Sequence, residues 1–459
     1  MRGTRPFILP PVERIAVAAP PGQKLAAEFR GGQIWGLHWQ WLDDPDPAGS
    51  LWRIRITRLV PALKGAFAAI GSGADDTGFL DLSDTKRPPH EGQVLIAQAT
   101  RAPEDGKRLT LKPAARLVGR YLVYSPGRPG LAASRQLRDK ETARQLQGLL
   151  RSHMQDGEGV IVRAAAAPML ASPEPILAEL DRHRATWAAT QNTDGLGQIA
   201  PPPPLWEQIL IERTGTGPLE ITADSDAAYA GMRAAIARWA TAEPVTLTRD
   251  QDKVFTGSSA MEALEACMAE QTPLLDGGSL WIQPSRACWT IDVDTAGLRL
   301  RTPEDRLAVN RAAAVEIARQ VRLRRIGGAV VIDFLRLATK DQRLAVAADL
   351  RAAFAEDSAS LQFNRDFDAV GLYSFSRQRL GQTLLQGQRL PLLRAAEDYV
   401  RQGRATAAGR VALVLAPAAA AQLAGMTETI ATATATLGYA PIILQDESFA
   451  RDAYLIRPI

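Results

Sequence analysis

Between Ser279 and Phe375 the sequence reads strand, strand, helix, strand, helix and a short strand pair, and this alternation restricts the possible folds more than any other feature. SLWIQP and CWTIDVD are the first two strands, and an arginine-rich helix spans Pro303–Arg325 with Gly327-Gly328 as its C-cap. The very apolar AVVIDFL is the next strand, followed by a helix over Asp341–Glu356 and a strand pair around Ser360–Phe375. Strands alternating with helices predict an α/β layer with a mixed sheet. Asp292 and Asp294 stand two apart on one strand, so both side chains project from the same face. Asp333 ends the following strand, where an unpaired carboxylate would be costly to bury. Three acids on adjacent strand ends suit a hard divalent cation such as Mg²⁺, which takes one or two carboxylates plus water and substrate phosphate. An ion held there can activate a water and stabilise charge on a phosphodiester. The plainer alternative is that such aspartates cap helices or pair with arginines.

The chain as a whole, at 459 residues, is too long for one hydrophobic core and predicts roughly two to four domains. Gln33–Trp41 alternates apolar and polar residues, suggesting an early strand pair. From Leu51 to about Lys112 come short strand-like runs separated by glycine: LWRIRITRLV, GAFAAIG, TGFLDL and GQVLIAQA. That rhythm fits a small closed barrel of the oligonucleotide-binding type. Leu117–Arg163 opens a new unit, with strands at YLVY and GVIVR and a helix from Asp139 to about His153; a second helix follows near Ile176–Thr190. Pro201–Pro204 marks a linker, because four prolines remove donors and force an extended path. LWEQILIER and further helix–strand alternation run to Thr272. The C-terminal stretch holds a strand at RVALVLAP, an Ala/Thr-rich helix and a final strand pair at PIILQD and AYLIRP.

Composition removes several classes. Cys267 and Cys288 are too far apart for a Cys-x-x-Cys pair and read as buried free thiols. His38, His90, His153 and His183 are scattered, so no Zn²⁺ site of the usual His/Cys type is expected. No apolar run reaches the ~20 residues needed to cross a bilayer, and prolines and a glutamate break MRGTRPFILPPVERIAV too early for a signal-peptide core. A cytoplasmic protein without membrane contact is expected. GSGADDTG lacks the Lys-Ser/Thr of a P-loop, no G-x-G-x-x-G opens a helix, and no nucleophile elbow occurs, which leaves a metabolic α/β enzyme unsupported. The net charge is +4, and eight lysines leave arginine as nearly all of the 54 basic residues. Arginine suits bidentate phosphate contacts and base stacking; a GC-rich coding sequence is the other explanation.

The run VNRAAAVEIARQVRLRRIGGAVVIDF (Val309–Phe334) resembles the signature of the ribonuclease E/G family over its whole length. The resemblance continues in SRQRL (Ser376–Leu380) and upstream in ITRLVPALKGAF, GFLDL, GQVLIAQ and GVIVR, in the family's order, over about residues 50–380. It implies an α/β (α+β) multidomain fold: an RNase H-like/nuclease-like α/β catalytic core with an inserted S1 (OB-type) β-barrel. The corresponding divisions are an RNase H-like subdomain in two parts (1–49 and 201–275), the barrel (50–115), a 5′-sensor-like subdomain (116–200), a nuclease-like catalytic subdomain (276–390) and a small C-terminal domain (391–459). By position, Asp292 and Asp333 would be the two Mg²⁺-binding carboxylates. Asp294 stands where the family usually has an asparagine that orients the first carboxylate.

Further roles follow from the same resemblance. Phe67 and Phe79 match aromatic positions for RNA, and Lys107 a basic one; the packing alternative places both phenylalanines in the barrel core. Arg163 falls where the family grips a 5′-terminal monophosphate, but Ala164 replaces the threonine that follows, and Arg135 could partly substitute. Arg377 and Arg379 would bind RNA or support the site. Arg336 sits where an acid is common, and an odd offset along the strand points it away from the Asp333 face. Arg319, Arg322, Arg324 and Arg325 form either a phosphate-tracking stripe or a solvated helix face. The segment after SRQRL, GQTLLQGQRLPLL, has no cysteine where the family has a Cys-rich link, so a zinc-linked dimer is ruled out on ligand chemistry and any homodimer needs another interface. Two readings result: a Mg²⁺-dependent endoribonuclease acting on single-stranded RNA in processing or decay, or a catalytically inactive paralogue that binds RNA as a regulator or scaffold.

Overall fold

The computed structural model describes residues 7–73, 76–83, 85, 88–101, 108–213, 217–239, 242–250, 264, 266–275, 277–379, 390–406 and 410–459. Its first sheet draws strands from both sides of a long insertion. Arg14–Ala18, Gln23–Arg30 and Gln33–Trp41 form an antiparallel meander, and Leu219–Ala223 and Val245–Arg249 extend it in parallel from the first strand. Ile15, Val17 and Ala26 pack on helices Leu205–Glu212 and Asp226–Trp239. Ala16, Ala18, Leu25 and Ala27 pack on the C-terminal residues instead. Both faces are covered, which is why these strands read as continuous apolar runs.

The insertion begins with a closed barrel. Strands Leu51–Val60, Gly65–Ala69, Thr77–Asp81, Thr110–Lys112 and Val94–Arg101 neighbour one another in that order, and the last pairs back on the first. Ile54, Ile56, Ala66, Ala68, Leu80 and Leu111 fill its interior. A four-stranded sheet follows, carrying helices Lys140–Arg151 and Glu174–Gln191. The carboxylate of Glu179, fully buried, accepts the backbone N–H groups of Arg120, Tyr121 and Leu122 and so ties the second helix to that sheet.

A second large sheet runs Gln271–Pro273, Ser279–Pro284, Trp289–Asp294, Gly328–Asp333, Leu372–Arg377 and Leu361–Phe363. Only Trp289–Asp294 and Gly328–Asp333 are parallel, because helix Pro303–Leu323 connects them as a crossover. This helix and Lys340–Ala353 cover one face through Ile291, Val293, Val330, Ile332, Ala313 and Ile317. On the other face Thr290, Asp292, Asp294, Ala329 and Asp333 are exposed. Trp35 shares that core, and Arg319 Nη1 donates to Ile34 O at 2.9 Å, so the crossover helix also locks the two sheets together.

Three sequence expectations change. The crossover helix ends at Leu323, and Arg325, at φ +51°, takes the left-handed position next to the helix end, with Gly328 left-handed three residues later at φ +94°. Gly327 is needed for close approach, since a Cβ there would lie 2.7 Å from Arg379 Cα. The final strands Ile442–Gln445 and Tyr454–Pro458 do not pair with each other but flank Val411–Leu415, whose complete burial makes it the central strand. Cys267 is buried as expected, but Cys288 is only half-buried, in a turn with Ser285. Among the described residues no helix is long and apolar enough to cross a membrane.

Candidate active site and nucleic-acid interface

Asp292 and Asp333 are direct neighbours in register on the two parallel strands, about 5 Å apart across the ladder. Their strands alternate buried and exposed residues, with Ile291, Val293 and Ile332 turned to the helices and Asp292, Asp294 and Asp333 turned outward. The apolar half of each strand holds the acids on the open face. The row continues on both sides, with Trp281 opposite Asp292 and Leu372 opposite Asp333. Asp333 is exposed, so the expected burial cost does not arise. Partial desolvation, then the charges of Asp333 and Asp294, raise the Asp292 pKa above the ordinary carboxylate value.

A nearby cation would relieve that repulsion. Among the described residues, however, no group of three or more His, Cys, Asp or Glu side chains is arranged to hold a metal ion. The three-acid set therefore reduces to a pair. Asp294 is drawn into the following turn, where its Oδ1 accepts from Ala296 N at 3.1 Å. Two adjacent carboxylates still fit Mg²⁺, which fills its remaining positions with water and phosphate oxygens.

On the barrel, Phe67 and Phe79 lie outside the core. Ala66 and Ala68 point inward, so Phe67 between them points outward. It meets Phe79 edge-on at 5.9 Å, and Arg58 and Arg108 lie over its ring at 5.1 and 4.9 Å. Gly65 leaves room for the Phe79 ring, which a Cβ would strike. The result is a half-exposed aromatic surface flanked by guanidinium groups. Lys107 falls outside the described residues.

The other arginines are more committed than their sequence positions suggested. Arg163 Nη1 donates to Gly119 O and Ile211 O, and burial followed by the charge of Arg120 lowers its pKa. Arg135 is exposed, as is Arg336, and because the strand ends at Asp333 the alternation argument does not reach Arg336. Arg377 is buried against Asp357 at 2.9 Å and Ile326 O at 2.9 Å, while Arg379 borders a cavity beside it. The four helix arginines form neither a stripe nor a solvated face. Arg319 holds Glu316 and Ile34 O, Arg324 is buried against Gln320 and Thr272, and Arg322 and Arg325 border the same cavity as Arg379.

Two residues were missed. Trp281 is a large exposed aromatic directly beside Asp292, and the alternation of SLWIQP placed it on the acid face. Asn310, fully buried, donates to Leu335 O at 2.7 Å and accepts from Leu335 N at 3.0 Å, pinning the chain two residues past Asp333. An asparagine on the apolar face of a helix was its signal.

The sequence model of the Ribonuclease E/G family matches residues 116–380. Ribonuclease E of Haemophilus influenzae is 27% identical over 403 residues, covering 81% of this chain and 42% of that protein. Ribonuclease E of Escherichia coli gives 27% over 406 residues, covering 81% and 37%. Ribonuclease G of Escherichia coli is 24% identical over 405 residues, covering 81% of this chain and 80% of that protein. The chain thus spans less than half the length of these ribonuclease E relatives.

Proposed function

The chain belongs to the ribonuclease E/G family, and from that premise we propose that it is a Mg²⁺-dependent endoribonuclease cleaving single-stranded RNA. The observation that carries this reading is the in-register pair Asp292 and Asp333, both exposed on one face of a sheet, with Trp281 beside it. Mg²⁺ held by those two carboxylates would supply an activated water and neutralise charge at the phosphodiester. The chain's own groups do the rest. Asp292 and Asp333 are positioned by the buried faces of their strands, and Asn310 holds the backbone that follows Asp333. Trp281 offers one base a stacking face next to the acids, and Phe67 with Phe79, Arg58 and Arg108 offers a second RNA contact on the barrel.

On this reading the barrel is the family's S1-type RNA-binding domain, inserted into an RNase H-like half. Support comes from the pairing of Arg14–Ala18 with Leu219–Ala223 across the whole insertion. On the same reading Lys107, Arg135 and Arg379 would contact RNA, and Arg163 and Arg377, which hold backbone carbonyls and Asp357, would support the surface from behind.

The test is cleavage of a short A/U-rich single-stranded RNA by the wild type and by Asp292→Asn/Asp333→Asn, each in Mg²⁺ and in EDTA. Discrete cuts that require Mg²⁺ and vanish in the variant are expected. RNA binding without cleavage under any divalent ion would replace this reading with the inactive RNA-binding paralogue, a reading that the capture of Asp294 by its own turn favours.

A further inference from the structure

A cavity of about 340 Å³ opens where the Gln33–Trp41 strand, the end of the crossover helix and the end of the Leu372–Arg377 strand meet. Six arginines border it: Arg30, Arg213, Arg322, Arg325, Arg377 and Arg379. Several are matched by acids. Arg30 pairs with Glu356 at 2.8 Å, Arg213 with Glu243 at 2.9 Å and Arg377 with Asp357 at 2.9 Å. Glu28, Asp46 and Glu212 are also on the wall, and Glu28 is matched by His38 at 3.0 Å.

What remains after that pairing is unusual. Arg322 Nη1 and Arg30 Nε are buried, and among the described residues neither has a hydrogen-bond partner. Arg325 adopts the left-handed backbone that non-glycine residues avoid, and that turn lays its guanidinium over the Trp39 ring at 4.0 Å. Burial lowers the pKa of both Arg322 and Arg325, the latter to about 10, against the opposing charges of Asp357 and Glu28 at Arg322 and of Glu212 and Asp46 at Arg325. Buried donors are normally paired, and Arg322 Nη1 and Arg30 Nε are exceptions. Backbone strain and unmet donors at one cavity mark a place where structure is held for binding.

We propose that this cavity is a binding site for a small phosphate-bearing anion, gripped by Arg322 and Arg325 with Arg30 Nε as a further donor. Guanidinium forks match the oxygens of a tetrahedral phosphate better than any other side chain does. The volume is at the low end of the range for small-ligand pockets, enough for free phosphate or for the phosphate end of a nucleotide. The site is separate from the carboxylate pair. Along one strand pair, Gly328 faces Arg377 and Asp333 faces Leu372, so the cavity and the acids lie roughly 17 Å apart at about 3.3 Å per residue.

The experiment is calorimetric titration of the full chain, in EDTA, with inorganic phosphate, adenosine 5′-monophosphate and adenosine. Saturable binding of the two phosphate compounds but not of adenosine is expected, weakened at least tenfold by Arg322→Met and by Arg325→Gln. Equal affinity for phosphate and the monophosphate assigns free phosphate as sufficient; tenfold tighter monophosphate assigns a nucleotide end. Binding should persist in Asp292→Asn/Asp333→Asn, so the result is independent of nuclease activity. No saturable binding of either phosphate compound, or unchanged binding in both arginine variants, overturns the proposal. Circular dichroism establishes that each variant is folded, and if Arg322→Met is not, Arg325→Gln decides.

Discussion

At the scale of single residues, the charges that matter are those whose surroundings leave them unmatched. Glu397, on helix Leu390–Ala405, has one carboxylate oxygen buried without a hydrogen-bond partner, and burial followed by the charge of Asp398 pushes its pKa up to about 7. A carboxyl whose pKa is raised by folding binds its proton more tightly in the folded state. It therefore weakens the fold as pH rises from the ordinary carboxylate value through about 7. Glu397→Gln should remove that dependence, raising stability at pH 8 by roughly 1–3 kcal/mol and changing it little at pH 4.5. Thermal melting of both proteins across that range checks it, and parallel curves would show that Glu397 stays ionised in the fold. Trp281 is the opposite case, an uncharged aromatic 37% exposed beside Asp292. Trp281→Ala should leave the melting temperature within the small range of surface changes. It should weaken RNA binding by about 1–3 kcal/mol if a base stacks there, seen as a higher KM at similar kcat.

At the scale of elements, the acid pair depends on one helix doing two things. Pro303–Leu323 starts in a capping box between Thr302 and Asp305, packs Ala313, Ala314 and Ile317 beneath the strands, and offers Asn310 to both backbone groups of Leu335. Asn310→Ala would leave the partly buried N–H and C=O of Leu335 without their side-chain partner, a cost of up to about 1–3 kcal/mol each. The expected outcome is a lowered melting temperature and a kcat for RNA cleavage that falls more than RNA affinity does. Equal losses in both would show that Asn310 supports only the fold. The helix and its flanking strands were legible in the sequence because apolar periodicity reports which face is buried. Its end was not. Arg325 takes the left-handed position and Gly327 is kept for close approach to Arg379, a contact more than fifty residues away in sequence that local rules do not register. The outward turn of Phe67 was legible in principle from the small alanines on each side, but the apolar run concealed the alternation.

At the scale of the whole molecule, the acids and the aromatic surface belong to different sheets, and this division predicts how their losses combine. Phe67 and Phe79 sit on a barrel whose core they do not fill, so Phe67→Ala/Phe79→Ala should unfold little. Asp292 and Asp333 are exposed on their sheet face, so their asparagine variants should fold as well. If one RNA spans both surfaces, the aromatic variant should raise KM by about 1–3 kcal/mol per base unstacked while kcat changes little. The acid variant should abolish turnover while RNA affinity, measured by fluorescence anisotropy, stays near wild type. Sites that share no partners add, so the combined variant should bind RNA as weakly as the aromatic one alone. Its affinity should also keep the wild-type dependence on salt, because phosphate contacts set that slope and stacking does not. A combined variant that binds far more weakly than either parent would mean that the acid face carries much of the affinity. The cavity of six arginines was invisible in the sequence for the same reason that this division was. Its walls come from residues as distant as Arg30 and Arg379, and only the docking of the crossover helix against the first sheet brings them together.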